Sequence, residues 1–201
     1  GSLVYAGSVD FIYAFQGTTT AFWKYSLACQ KWNVLTSDCV TASMPEVTPG
    51  GVNSGGSLVY PGSGDYIYAF QGTTTALWKY SISCNAWNVS TSGCSASTPP
   101  VAPATISNGG AMVYPGSGDY IYALRGNSDV LWRYSIVNNR WSVMALTPNT
   151  ISSGGSHMVY PGSGSYIYIS RSSTFADFWK YQGFDYTSPG TFTSASINLG
   201  G

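Results

Sequence analysis

The chain repeats itself four times, and no other feature restricts its fold as strongly. The run Gly55-Gly56-Ser57-Leu58-Val59-Tyr60-Pro61-Gly62 recurs at residues 109–116, returns with one inserted residue at 154–162, and has a truncated form at 1–7. Asp65-Tyr66-Ile67-Tyr68-Ala69-Phe70-Gln71-Gly72 matches residues 10–17, 119–126 and, more loosely, 165–172. An aromatic signature follows: Phe22-Trp23-Lys24-Tyr25, Leu77-Trp78-Lys79-Tyr80, Leu131-Trp132-Arg133-Tyr134 and Phe178-Trp179-Lys180-Tyr181. The tryptophans of this signature are 55, 54 and 47 residues apart, and three copies carry a second one nine positions on, at Trp32, Trp87 and Trp141. The copies span approximately residues 1–54, 55–108, 109–153 and 154–187.

Each unit reads as four short strands, at residues 58–60, 66–71, 77–82 and 87–90 in the second copy. Turn formers separate them: Pro61-Gly62-Ser63-Gly64, then Gly72 with Thr73-Thr74-Thr75, then residues 83–85. The second strand is apolar on both faces, whereas an antiparallel strand with one wet face alternates apolar and polar residues. Both faces must therefore be covered. That condition predicts an all-β fold, a β-propeller in which four-stranded antiparallel blades stack around an axis. Trp78 and Tyr80 share one face of the third strand, and Lys24, Lys79, Arg133 and Lys180 point to the other, where long stems snorkel. The four blades form either a closed ring or part of a larger one, and an open set leaves faces and edges that lead to oligomers or fibres. Residues 188–201 alternate like a strand and supply either the closing strand of the fourth blade or the start of a following β-sandwich domain.

A Gly-Gly start, a Tyr-rich second strand ending in Gly, a Trp-[Lys/Arg]-Tyr strand and a closing Trp together resemble the kelch repeat, of secreted or cell-surface prokaryotic type. The resemblance covers residues 1–182, with a period near the roughly 50 residues of that repeat. One position departs. Kelch repeats usually close the second strand with a Gly pair, where this chain has Gln16-Gly17, Gln71-Gly72, Arg125-Gly126 and Arg171-Ser172. The resemblance implies a propeller but not an activity, because propellers host many unrelated functions.

Cys29 with Cys39 and Cys84 with Cys94 stand at identical spacing, while copy three has Asn138 and Pro148 in their places. Joint loss fits pairing inside a blade or between like positions of neighbouring blades. Stacked sheets lie about 10 Å apart, but a disulfide needs Cα atoms about 4.4–6.8 Å apart. The expectation is therefore Cys29–Cys39 and Cys84–Cys94, each clipping the outermost strand to its connecting loop, in an oxidising compartment. A metal site at these cysteines is disfavoured, since His157 is the sole histidine. Asn88-Val89-Ser90 is an N-glycosylation sequon on the predicted outer strand. Ser/Thr clusters at the loop tips and at residues 95–98 offer O-glycan positions.

Charged residues make up only 8% of the chain, and eight basic groups balance eight acidic ones. Without a long-range field, nucleic acid is not an expected partner, and no stretch approaches the roughly 18 apolar residues of a membrane span. The chain opens at Gly1 without an initiator Met or a signal peptide, which reads as a mature or excised segment. His157 reads as an edge or channel-lining residue, and one histidine is too few for the copper site that some kelch-like propellers hold. Asp10, Asp65 and Asp119 open the second strand, where Asp caps the amides of a tight turn. Asp38, Glu46, Asp129, Asp177 and Asp185 form no aligned carboxylate pair, and Asn127-Ser128-Asp129 falls short of the several alternating Asp/Asn of a calcium loop. No cofactor or metal is expected. The loops after the second strand differ between copies, which marks Gln16, Gln71, Arg125, Asp129 and Arg171 as candidate binding positions. The expected function is a non-catalytic extracellular or cell-surface scaffold, adhesion module or filament subunit, with other protein domains, copies of itself or glycans as partners. A lectin-like module and a glycan-active or copper-dependent enzyme are the alternatives.

Overall fold

The computed structural model describes residues 1–7, 10–152, 156–172, 175–182 and 190–196. The first blade consists of β1 (Ser2–Tyr5), β2 (Phe11–Phe15), β3 (Phe22–Ser26) and β4 (Lys31–Trp32), and the second of β5 (Ser57–Val59), β6 (Tyr66–Phe70), β7 (Leu77–Ser81) and β8 (Ala86–Trp87). The third consists of β9 (Ala111–Val113), β10 (Tyr120–Leu124), β11 (Val130–Ser135) and β12 (Arg140–Leu146), and the fourth of β13 (His157–Val159), β14 (Tyr166–Ser172), β15 (Phe175–Gln182) and β16 (Thr191–Ser196). Every blade is an antiparallel meander in chain order. The chain is thus all-β, four antiparallel four-stranded sheets arranged as a four-blade propeller, and no helix occurs among the described residues.

The outer strand of the second blade is shorter than its sequence suggests. Asn88 takes a left-handed conformation (φ 55°) and breaks the ladder, which resumes only as a single bridge from Val89 to Ala96. Asn33 does the same in the first blade (φ 54°). In the fourth blade the tail supplies the outermost strand, with β16 pairing β15 from Gln182↔Thr191 to Asp177↔Ser196. Residues 183–189 and 197–201 lie outside the described set.

The core sits between the blades and follows from the two-faced strands. One face of blade 1 (Tyr13, Phe15, Phe22) packs on the opposite face of blade 2 (Ile67, Ala69, Trp78, Tyr80, Trp87). Tyr68, Phe70 and Leu77 of blade 2 then meet Ile121, Ala123, Trp132 and Tyr134 of blade 3. Tyr122, Leu124 and Leu131 of blade 3 meet Ile167, Ile169, Trp179 and Tyr181 of blade 4. The interfaces include edge-on and tilted aromatic contacts, with ring centroids 5.0 Å apart for Phe22–Tyr80, 5.6 Å for Tyr68–Tyr134 and 6.0 Å for Tyr122–Tyr181. Hydroxyls stitch the inner strands: Leu58 N–H donates to Ser2 Oγ (3.1 Å), and Met112 N–H to Ser57 Oγ (3.1 Å).

Candidate functional site

The variable loops follow β2, β6, β10 and β14, and the first three lie at one end of the propeller. In the first three, Thr18, Thr73 and Asn127 turn the chain through positive φ (68°, 55° and 48°). The next hydroxyl accepts the amide two residues on: Ala21 to Thr19, Ala76 to Thr74, Val130 to Ser128. The linker leaving each blade then pairs along the loop, with Val52, Ile106 and Ile151 donating to the carbonyls of Thr19, Thr74 and Ser128. Thr147 likewise donates, through its amide and its hydroxyl, to the Asp129 carbonyl. Two threonines can therefore become Ser128-Asp129 without altering the turn.

Three of the candidate binding positions share one structural task. Gln71 Nε2 donates to the Gly51 carbonyl (3.0 Å), Arg125 Nε to Thr105 (3.4 Å) and Arg171 Nε to Thr150 (2.9 Å), each holding the linker that arrives from the preceding blade. Thr74 Oγ1 donates to Gln71 Oε1, and Arg171 forms an ion pair with Asp177 (2.8 Å). Gln16 is exposed at the equivalent place in blade 1. The Gln-to-Arg variation thus preserves a linker anchor while leaving guanidinium groups at the rim. The tip residues Ser173 and Thr174 lie outside the described set.

The remaining ionisable groups build the blades. Asp10, Asp65 and Asp119, which open the second strand, cap the turn between the third and fourth strands. Each accepts a serine hydroxyl (Ser26, Ser81, Ser135) and a backbone amide (Ala28, Ser83, Val137) there. Copy four has Ser165 and Gln182 at the two ends of this pair, so the carboxylate and its serine partner are replaced together. Glu46 crosses to the next blade, where its carboxylate accepts Trp87 N–H (2.7 Å) and its carbonyl accepts the Trp87 indole (3.0 Å). Lys24, Lys79, Arg133 and Lys180 lie over the rings of Phe11, Tyr66, Tyr120 and Tyr166 at 4.2–4.9 Å. Burial pushes Lys24 and Lys79 below the usual ammonium range. Asp38 is held low by Thr41 and the amides of Val40 and Thr41. No group of three or more His, Cys, Asp or Glu placed to hold a metal occurs among the described residues, and Asp185 lies outside them.

Cys29–Cys39 and Cys84–Cys94 are disulfide-bonded within their blades, with Cα atoms 5.3 and 5.6 Å apart. Each bridge ties the turn before the outer strand to the loop after it. Asn138 replaces a cysteine in blade 3 and donates through Nδ2 to Ser135 Oγ (3.0 Å). Asn88, the sequon asparagine, accepts Lys79 N–H through Oδ1 (3.2 Å), as Asn33 accepts Lys24 N–H in blade 1 (3.0 Å). Its carboxamide thus has a blade-building contact besides the sequon.

Two cavities adjoin the loop end. A polar one of about 350 Å³ lies on the axis among the inner strands and includes Ser2, Ser57, Ser156 and His157. A second, of about 890 Å³ and mainly apolar, opens on blade 1, is lined there by Leu3, Trp23, Trp32 and Asn33 among others, and reaches blade 4 at His157. His157 lies at the boundary of both, as its channel-lining reading anticipates. The apolar wedge was not legible in the sequence, where Trp32 has the same repeat position as the buried Trp87.

The fold defines a β-propeller. No protein-family model and no curated protein matches the sequence. Solved structures similar to the chain include an auxiliary nutrient binding protein from Bacteroides ovatus (TM-score 0.64, 10% identity, 96% of this chain and 41% of that one). The RRP9 WD40 repeats (0.60, 8%, 99% and 51%) and U3-55K (0.58, 9%, 95% and 50%) are also similar. At these identities the likeness is one of fold, and this chain spans about half of each of those chains or less.

Proposed function

We propose that the chain is a non-catalytic, kelch-like propeller module of an extracellular or cell-surface protein, serving as scaffold, adhesion module or filament subunit. The observation that carries this reading is the use of its ionisable side chains. Asp10, Asp65, Asp119, Glu46 and the four aligned cations are spent on turns, linkers and ring faces. What projects from the scaffold is a rim of loops and an apolar wedge, the surfaces of a binding protein. Two disulfides support an oxidising setting. The test is a screen of the purified chain against extracellular proteins and matrix extracts, with Gln16→Ala and Arg125→Ala as loop variants. Saturable binding weakened at least tenfold by a loop variant that melts like the parent supports the reading. A substrate turnover that depends on His157 sinks it.

A second reading, a carbohydrate-binding module, is favoured by the polar axial cavity, whose serine hydroxyls and His157 suit a hydroxylated ligand. The nutrient-binding description of one structural neighbour adds to it. Glycan-array binding lost on His157→Ala and kept on Arg125→Ala separates it from a protein-binding role of the loops.

A further inference from the structure

The Trp face of blade 1, which lines the apolar cavity, and the Tyr/Phe face of blade 4 are the two halves of an interface that the chain builds three times internally. At each internal junction a face of Tyr with Phe or Leu meets the Trp face of the next blade. Blade 1 has a Trp face and blade 4 has a Tyr/Phe face, yet neither packs against the other among the described residues. Exposure shows this directly. Trp32 is 50% exposed where Trp87 is 6%, Leu3 is 67% where Leu58 is 6%, and Val159 is 55% where Val59 is 6%. Trp23 and Tyr25 are only partly buried, while their counterparts Trp132 and Tyr134 are buried. On blade 4 the Tyr168 and Phe178 rings stack with centroids 5.6 Å apart and 19° between planes. Tyr13 and Phe22 stack the same way on blade 1, at 5.6 Å and 21°, where blade 2 covers them. His157 has the register position of Ser57, facing Ser170 where Ser57 faces Phe70. Ser57 is the residue that accepts the next blade's inner-strand amide.

From this complementarity we infer that the exposed Trp face of blade 1 docks the exposed Tyr/Phe face of blade 4 from a second copy of the chain. The same junction geometry continues across the copies, with His157 of one facing Leu3 of the other. Two properties of the molecule select a second copy over an unrelated partner. Both complementary faces are carried by one chain, so identical chains satisfy each other. In addition, the four blades cover 41–51% of the longer solved chains that they resemble, a length that two copies together supply. The contact is heterologous, hence it closes if the rotation permits and otherwise grows into a fibre. This inference rests on the reading of the chain as a non-catalytic assembly module, but it is independent of what the loops bind.

The test is the mass of the whole chain in solution by light scattering, with one charged substitution on each exposed face, Trp32→Glu and Val159→Glu. The wild type is expected at a multiple of the 21.4 kDa chain mass, and each variant as a monomer with a parental melting profile. Mixing the two variants restores one intact junction and yields a 1:1 dimer of twice the chain mass. Face-to-face association of like surfaces gives no such rescue. A wild type that stays monomeric at the highest concentration reached overturns the inference, whatever else fills the wedge, and so does a mixture that fails to dimerise. Arg125→Ala leaves the assembly unchanged, so loss of loop-dependent binding and loss of assembly are read separately.

Discussion

At the residue scale, the glycine kept at the end of the second strand shows what the repeat conserves. Gly72 has φ +77°, and a Cβ there would fall 2.5–2.7 Å from the Ser54 and Asn53 carbonyls and the Gly56 amide. The arriving linker passes that close. Gly64 has a similar φ of +83° but faces open space. Gly64→Ala therefore carries the backbone strain alone, about 1–3 kcal/mol, and Gly72→Ala adds a collision between backbone segments. Urea unfolding should show the larger loss for Gly72→Ala by at least 1 kcal/mol on this order of cost; equal losses contradict the linker contact. The residue before this glycine also became intelligible only in three dimensions. The exchange of Gln71 for Arg125 and Arg171 looks like a varying surface in the sequence, yet all three side chains hold a linker carbonyl. Sequence comparison detects the variation but not the shared acceptor, because that acceptor lies some 20 residues away on an irregular segment.

At the element scale, disulfides and outer strands trade places. The two bridged blades have outer strands of two residues, β4 and β8, whereas unbridged blade 3 has the seven-residue β12. A short ladder leaves the outer loop with few hydrogen bonds, and the crosslink limits its freedom in the unfolded chain instead. Each bridge spans ten residues in sequence, a loop for which removal costs about 2–3 kcal/mol. The paired replacement Cys84→Ala with Cys94→Ala should lower stability by that amount. Reductant should destabilise the parent and leave the variant with a smaller response. A parent whose melting ignores reductant contradicts a stabilising role. The pairing itself was legible, because joint loss in copy three and the reach of a disulfide left one geometry. The shortness of β8 was not, since nothing in Asn88-Val89-Ser90 announces a left-handed asparagine.

At the scale of the whole molecule, the stacked tyrosines tie stability to alkaline pH. Burial raises the phenols of Tyr13, Tyr68, Tyr80, Tyr134 and Tyr181 above their usual range, with Tyr134 pushed up to about 12. A raised folded-state value favours the neutral form, so this contribution is complete below the unfolded phenol's pKa of about 10. It is lost as pH rises from there through the folded value. The melting midpoint should hold up to about pH 10 and fall steeply toward pH 12. Phenolate absorbance should show a late group of tyrosines that ionises together with unfolding. Smooth titration of all 16 tyrosines near the free value contradicts interfacial burial.

The repeat determined by itself that the chain is a set of β-blades, because strands apolar on both faces have no stable arrangement except between other sheets. It also determined the internal junctions, since every copy carries both a Trp face and an opposite face built on Tyr with Phe or Leu. Equivalence between copies is also its limit: it assigns Trp32 and Trp87 one environment, when neighbours rather than residue type decide burial. Only the tertiary structure separates the blades covered on both sides from those covered on one, and so turns the first and last faces of the repeat into exposed surfaces. Aromatic burial depends on what stacks above, and that is a property of the assembled arc, absent from any single copy of the motif.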